Sequence, residues 1–177
     1  YLDLLEVAVK DDVNCHRSSY YLGREYTYRG RWEDAINELV RYLCLPTATW
    51  SLERSHANRM IGNAKEHLGQ DGLEWFQIAC SEDATVRENW HDLAMVCYKK
   101  QLWQECYNAA KKALTITKNN SQHTGNADAW GASPHDLVAL SSYYLGLKEE
   151  ALKHGTIAVE MDPTNERLIN NLKYYKE

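Results

Sequence analysis

The stretch Tyr20-Tyr21-Leu22-Gly23-Arg24-Glu25-Tyr26, continued at Gly30, Ala35, Leu39 and Tyr42, decides the fold. From Gly23 the marked positions follow at steps of three, four, five, four and three residues. Ala94, Cys97, Gln101, Cys106, Ala110 and Ala113 keep the same steps, as do Ala139, Ser142, Gly146, Ala151, Gly155 and Ala158. Gly62, Lys65, Gly69, Gly72, Phe76 and Ala79 form a further copy, shortened by two residues at its turn. Each copy predicts a helix, a turn and a second helix, and units with a period in the low thirties stack as an all-α repeat array. The small residues let the two helices of a hairpin approach closely, while the large ones fill the space between successive hairpins. Gly30, Gly69 and Gly146 fall where each first helix must end, because glycine adopts the left-handed conformation without steric cost. Asp162 and Pro163 close the last copy.

The pattern predicts helices over 2–10, 16–29, 32–44, 51–68, 71–80, 85–100, 103–117, 134–145 and 148–160. A last helix near 164–175 places Leu168, Leu172 and Tyr175 on one stripe, with Asn165, Glu166, Asn170 and Lys173 toward solvent as the cap that a repeat array requires. The expectation is one domain over 1–177, with hairpins at about 16–46, 51–81, 85–117 and 134–163 and a capping helix at 164–176. The rhythm breaks once: 45 positions separate Ala94 from Ala139, and the excess falls in Thr117 to Pro134, rich in Asn, Gly, Ser and His. A long connection inside a compact array is functional or disordered. Trp130 argues for order, since a tryptophan needs an apolar seat, so the connection is expected to fold back over the helices and line one end of their groove.

Composition excludes several classes. Apolar residues make up 44% of the chain, too many for intrinsic disorder, and β-branched residues never alternate over a strand length. A net charge of -5 argues against a nucleic-acid binder, which needs a concentrated basic face. No apolar run approaches a membrane span or a leader peptide, and a chain beginning on Tyr1 reads as a piece of something longer. Cys15, Cys44, Cys80, Cys97 and Cys106 include no C-x-x-C pair, and Cys97 and Cys106 sit in the packing rhythm, which points to reduced thiols and a cytoplasmic protein. His67, His91 and His135 read as surface or packing residues, and no histidines are spaced for a helical metal site. Without a phosphate loop, a nucleophile elbow or an acid–base pair, the expectation is a non-enzyme with no cofactor and no metal.

Trp90, Leu93, Ala94 and Cys97, and Leu22, Gly23, Tyr26, Ala35 and Leu39, resemble the tetratricopeptide pattern W-x2-LG-x2-Y followed by A-x3-F. A narrower resemblance rests on Tyr20 to Tyr26, Ala35-Ile36, Glu53-Arg54, Arg87-Glu88-Asn89-Trp90, Trp130-Gly131, Pro134-His135-Asp136-Leu137, Tyr144-Leu145-Gly146 and Arg167 to Leu172. These look like the repeat region that follows the catalytic domain in certain bacterial and phage family 2 glycosyltransferases. The resemblance implies an accessory role beside sugar-nucleotide chemistry. It implies no activity for this chain, which has no parallel-strand pattern and no Asp-x-Asp at a strand end.

In stacked hairpins the first helices line the concave side, with an exposed face about a quarter turn from the small packing residue. That face takes positions one, four and five after the small residue and three and six before it. The binding candidates are Arg17, Tyr20, Arg24 and Tyr28; His56, Arg59, Asn63 and His67; Glu88, His91 and Tyr98; and Asp136, Tyr143 and Tyr144, with Trp130 on the connection. The same residues could instead pack between hairpins, and Trp32 and Trp103, just after turns, are assigned to packing. A groove gripping a C-terminal carboxylate is disfavoured, because Glu88 and Asp92 stand where further basic groups would be needed. The expected partner is a protein or peptide, or a glycan acceptor stacking on the tyrosines. The context is a glycosyltransferase accessory region or, alternatively, a free-standing adaptor.

Overall fold

The computed structural model describes all 177 residues, and they contain helices and turns but no strand. Ten helices run in order: α1 (Leu2–Asp11), α2 (His16–Tyr28), α3 (Trp32–Cys44), α4 (Ser51–His67), α5 (Leu73–Glu82), α6 (Arg87–Lys99), α7 (Trp103–Thr115), α8 (Ser133–Tyr144), α9 (Lys148–Met161) and α10 (Glu166–Lys176). The chain forms two compact units, residues 1–84 and 85–177.

In the first unit, α2 pairs with α3 and α4 with α5, and α1 packs on α2. Tyr20, Leu39, Tyr42, Ala48, Ala57, Met60 and Ile61 make its core. The rhythm glycines are the closest points. A Cβ on Gly23 would lie 2.6 Å from Leu39 Cγ, and one on Gly62 would lie 2.7 Å from the buried Phe76 ring. In the second unit α6 pairs with α7, α8 with α9, and α10 lies on α9. There Tyr175 fills the space above Gly155 and packs with Ala139 and Ala151.

All four hairpin turns use one device. The residue after the helix sits in the left-handed region: Gly30 (φ +69), Gly69 (φ +71), Gln101 (φ 58) and Gly146 (φ +74). Its own N–H, and that of the next residue, return to the carbonyls of the last turn. Arg31 N–H donates to Tyr26 O at 2.9 Å, Gln70 to Lys65 at 2.9 Å, Leu102 to Cys97 at 2.9 Å and Leu147 to Ser142 at 2.8 Å. This is the Schellman closure, which satisfies otherwise orphaned carbonyls. Gln101 adopts the strained conformation without being glycine because the two hydrogen bonds hold it there.

Arg54 fastens α4 to its neighbours. Its guanidinium donates to both oxygens of Glu82, at 2.6–3.1 Å, and to the carbonyls of Leu43 and Ala48, each at 3.1 Å. Cys97 and Cys106 are buried, and burial pushes their thiols up to about 11 and about 12, so they remain protonated packing groups.

Candidate binding surfaces

The expected groove divides by its angle from the small residue. On a helix turning about 100° per residue, the position three before the small residue stands only about 60° from it, while the position five after stands about 140° away. At the first of these, Tyr20, Arg59, His91 and Asp136 are all buried. At the second, Tyr28, His67, Lys99 and Tyr144 are all exposed. The four buried residues therefore offer little surface to a partner, although Asp136 lines a cleft of about 360 Å³ together with Asp128, Ser133 and Arg167.

Three of them join their helix to the next first helix of the same unit. The Tyr20 hydroxyl lies 2.6 Å from His56 Nδ1. His91 Nε2 lies 2.8 Å from Ser133 Oγ, and its Nδ1 lies 3.1 Å from Asp92 Oδ1. Arg167 donates to Asp136 Oδ2 at 2.8 Å. Burial raises the Asp136 carboxyl above the ordinary carboxylate range, and Arg167 works against it. Tyr20, surrounded by Tyr21, Tyr42 and His56, has its phenol pushed up by burial and by Glu53.

Two residues depart from the rule: Tyr143, four after its small residue and about 40° from it, is nonetheless 47% exposed, and Glu88, six before its small residue, is buried. The angle points it outward, yet it is 1% exposed because the 117–133 connection covers it. That connection forms two short 3-10 turns, Gln122–Thr124 and Ala127–Trp130. Trp130 Nε1 donates to Glu88 Oε1 at 2.8 Å and Asn126 N–H to the same oxygen at 3.4 Å, while the Arg87 guanidinium lies 4.5 Å from the Trp130 ring centroid. The connection thus folds onto α6, with Trp130 half-buried.

Two exposed faces carry the remaining candidates. In the first unit Arg17, Arg24 and Tyr28 line the solvent side of α2, joined by Tyr21, which the sequence reading passed over. Asn63 and His67 are exposed on α4, with His56 partly so. The His67 ring stacks on Trp32 at 4.2 Å, and its Nδ1–H donates to the Asn63 carbonyl at 2.8 Å.

In the second unit Tyr98, Trp103, Tyr144 and Tyr143 form a chain of rings. Tyr98 and Trp103 lie 6.0 Å apart, Trp103 and Tyr144 stack at 4.1 Å with planes 9° apart, and Tyr143 meets Tyr144 edge-on at 5.5 Å. Tyr144 remains 57% exposed and Tyr143 47%. Two clefts of about 260 Å³ flank Tyr143, both also lined by Tyr174 and Tyr175, and one of about 420 Å³ lies among Tyr98, Lys99, Gln101, Trp103 and Tyr144. The helical pattern marks α10 only as a cap, and nothing in its spacing singles out Tyr174.

The second unit also holds a histidine pair. His135 and His154 bring their Nδ1 atoms within 2.8 Å across α8 and α9, with Glu150 Oε2 3.6 Å from His154 Nε2. The pair stands nineteen residues apart on two consecutive helices, so no local spacing announces it. No three His, Cys, Asp or Glu side chains are grouped to hold a metal ion, and no helix is long and apolar enough to cross a membrane.

This architecture is a tetratricopeptide-like fold. No protein-family model matches the sequence, and no curated protein does. Solved structures do match. A crystal structure of MamA is similar with a TM-score of 0.73 at 20% identity, covering 94% of this chain and 89% of that one. YrrB, described as a TPR protein with an unusual peptide-binding site, is similar with a TM-score of 0.70 at 17% identity, covering 97% and 81%. PilF of Pseudomonas aeruginosa is similar with a TM-score of 0.70 at 14% identity, covering 97% and 70%. At these identities the likeness defines the fold.

Proposed function

We propose that the chain is a non-catalytic recognition module that binds a protein or peptide segment. The observation carrying this reading is the ring chain of the second unit, Tyr98, Trp103, Tyr144 and Tyr143. Its members hold one another by ring–ring contacts, one stacked and two tilted or edge-on, while Tyr143 and Tyr144 stay open to solvent. Large rings fixed in advance lose little entropy on binding and dominate interface energies. The peptide-binding site ascribed to YrrB adds support from the same fold.

The resemblance to glycosyltransferase repeat regions suggests where such a module serves: in the cytoplasm, next to a catalytic domain, holding a partner or an acceptor. A glycan acceptor is the second reading. It is favoured by the ring faces of Tyr144 and Trp103 beside the polar groups of Lys99 and Gln101, which suit stacking plus hydrogen bonding to a sugar. A free-standing adaptor follows if the parent gene encodes no glycosyltransferase domain.

The test is capture from a lysate of the source cell, run in parallel with an oligosaccharide array, using the chain and its Tyr143→Ser/Tyr144→Ser variant. A defined protein captured by the native chain and lost by the helically intact variant supports peptide or protein recognition. Array binding lost in the same variant moves the reading to the acceptor. Equal capture by both proteins removes the ring chain from the site.

A further inference from the structure

Helix α2 of the first unit carries a surface of different chemistry from the ring chain. Arg17, Tyr21, Arg24 and Tyr28 follow at steps of four, three and four, which confines them to an arc of about 60°. Ser19, Leu22 and Gly23 are buried on the opposite side of the helix. The Arg24 guanidinium carbon lies 4.5 Å from the Tyr21 ring centroid and 5.7 Å from that of Tyr28, and the Arg17 carbon lies 5.9 Å from Tyr21. The guanidinium groups thus lie over tyrosine rings, which hold them in place without using their N–H groups.

Other arginines of this unit are neutralised within it. Arg29 pairs with Glu25, Arg31 with Glu6 and Asp34, Arg41 with Glu38, and Arg54 with Glu82. Arg17 and Arg24 have ring contacts but no carboxylate, and Arg24 Nε is buried without a hydrogen-bond partner. On a chain of net charge -5, two arginines held in place by rings and left without counter-charges form a local cationic site.

We propose that this stripe binds an acidic peptide segment in polyproline II conformation, with two carboxylates three residues apart seated on Arg17 and Arg24. Spacing sets that register. Seven residues of helix separate the arginine Cα atoms by about 10.5 Å, and three residues of polyproline II chain, which return side chains i and i+3 to one face, span about 9 Å. Each carboxylate receives the guanidinium edge, a charge-assisted contact whose directionality a lysine does not reproduce. The peptide backbone then lies along the exposed ring of Tyr28 and the partly buried ring of Tyr21, which supply apolar contact.

The test is fluorescence anisotropy at low salt with the whole chain and a fluorescein-labelled Gly-Ser-Asp-Ser-Gly-Asp-Ser-Gly peptide. Controls are the peptide with both Asp replaced by Asn, one with the two Asp adjacent, and a short oligothymidine. The expected result is saturable binding to the first peptide, weakened by salt and about tenfold or more weaker for the Asn version. Arg17→Ala and Arg24→Ala each lose about tenfold, Arg24→Lys loses part of that, and Tyr144→Ser changes nothing, which separates this site from the ring chain. The proposal is overturned by no saturation by about 1 mM peptide, by equal binding of the Asp and Asn peptides, or by undiminished affinity in a folded Arg24→Ala chain. Tighter binding of the oligothymidine through the same arginines also overturns it, in favour of nucleic-acid phosphate.

Discussion

Replacing Glu88 by Ala tests whether one buried carboxylate holds the long connection in place. Glu88 Oε1 accepts the Trp130 indole N–H at 2.8 Å and the Asn126 N–H at 3.4 Å, and the site is closed to water. A hydrogen bond to a charged group contributes about 1.5–3 kcal/mol and a weak, long one less, so the substitution loosens the connection by roughly 2–4 kcal/mol. If local opening governs exchange, amide hydrogens in 117–133 exchange about 30-fold to 1000-fold faster in Glu88→Ala. Hydrogen–deuterium exchange with mass spectrometry reads this segment directly. Glu88→Gln, which keeps an acceptor oxygen of the same reach, is expected to recover most of the protection. Exchange of 117–133 within about twofold of the native chain, with α6 still protected, would refute the argument and show that apolar seating of Trp130 alone orders the connection.

Other substitutions probe packing, ion pairing and titration. Burial, then His135 and Lys111, lowers the His154 imidazole from the ordinary 6.5 to about 4, against an opposing pull from Glu150; burial, then Arg87 and Lys111, lowers His135 as well. The native state then binds fewer protons than the unfolded chain, so stability is expected to fall as pH drops below 6.5 toward about 4. The decline in melting temperature between pH 7 and 5 should be shallower in His154→Gln, and an identical decline would dismiss the pair as its source. Gly62→Ala forces a Cβ to 2.7 Å from the Phe76 ring, and such overpacking costs about 1–3 kcal/mol in chemical denaturation. Arg54→Ala strips Glu82 and the Leu43 and Ala48 carbonyls of their donor, at about 2–4 kcal/mol. Unchanged midpoints in either variant would mean that the first unit relaxes around these contacts.

The helices and turns were legible because their determinants are local. The steps from Gly23 to Tyr42 encode which residues meet across a hairpin, and Gly30, Gly69 and Gly146 mark chain reversals wherever they occur. The third turn, lacking a glycine, was still placed by its steps, and Gln101 closes it with the same hydrogen bonds. The candidate surface was less legible. A quarter turn taken as one broad face merged positions about 60° from the seam with positions about 140° from it. Tyr20, Arg59, His91 and Asp136 consequently stood beside Tyr28 and Tyr144 as equals, although the first four are buried.

Periodicity and turn chemistry suffice for an all-α repeat of helical hairpins, because they act over a few residues and survive any arrangement of the rest. The tertiary packing alone settles which polar side chains are spent inside. Tyr20 meets His56, His91 meets Ser133, Asp136 meets Arg167 and His135 meets His154 across 19 to 42 residues of chain. It likewise decided that Trp130 seals Glu88, and that Arg17 and Arg24 rest on tyrosine rings in place of carboxylates. Burial and charge pairing depend on where separate helices come to lie, and no local spacing carries that information.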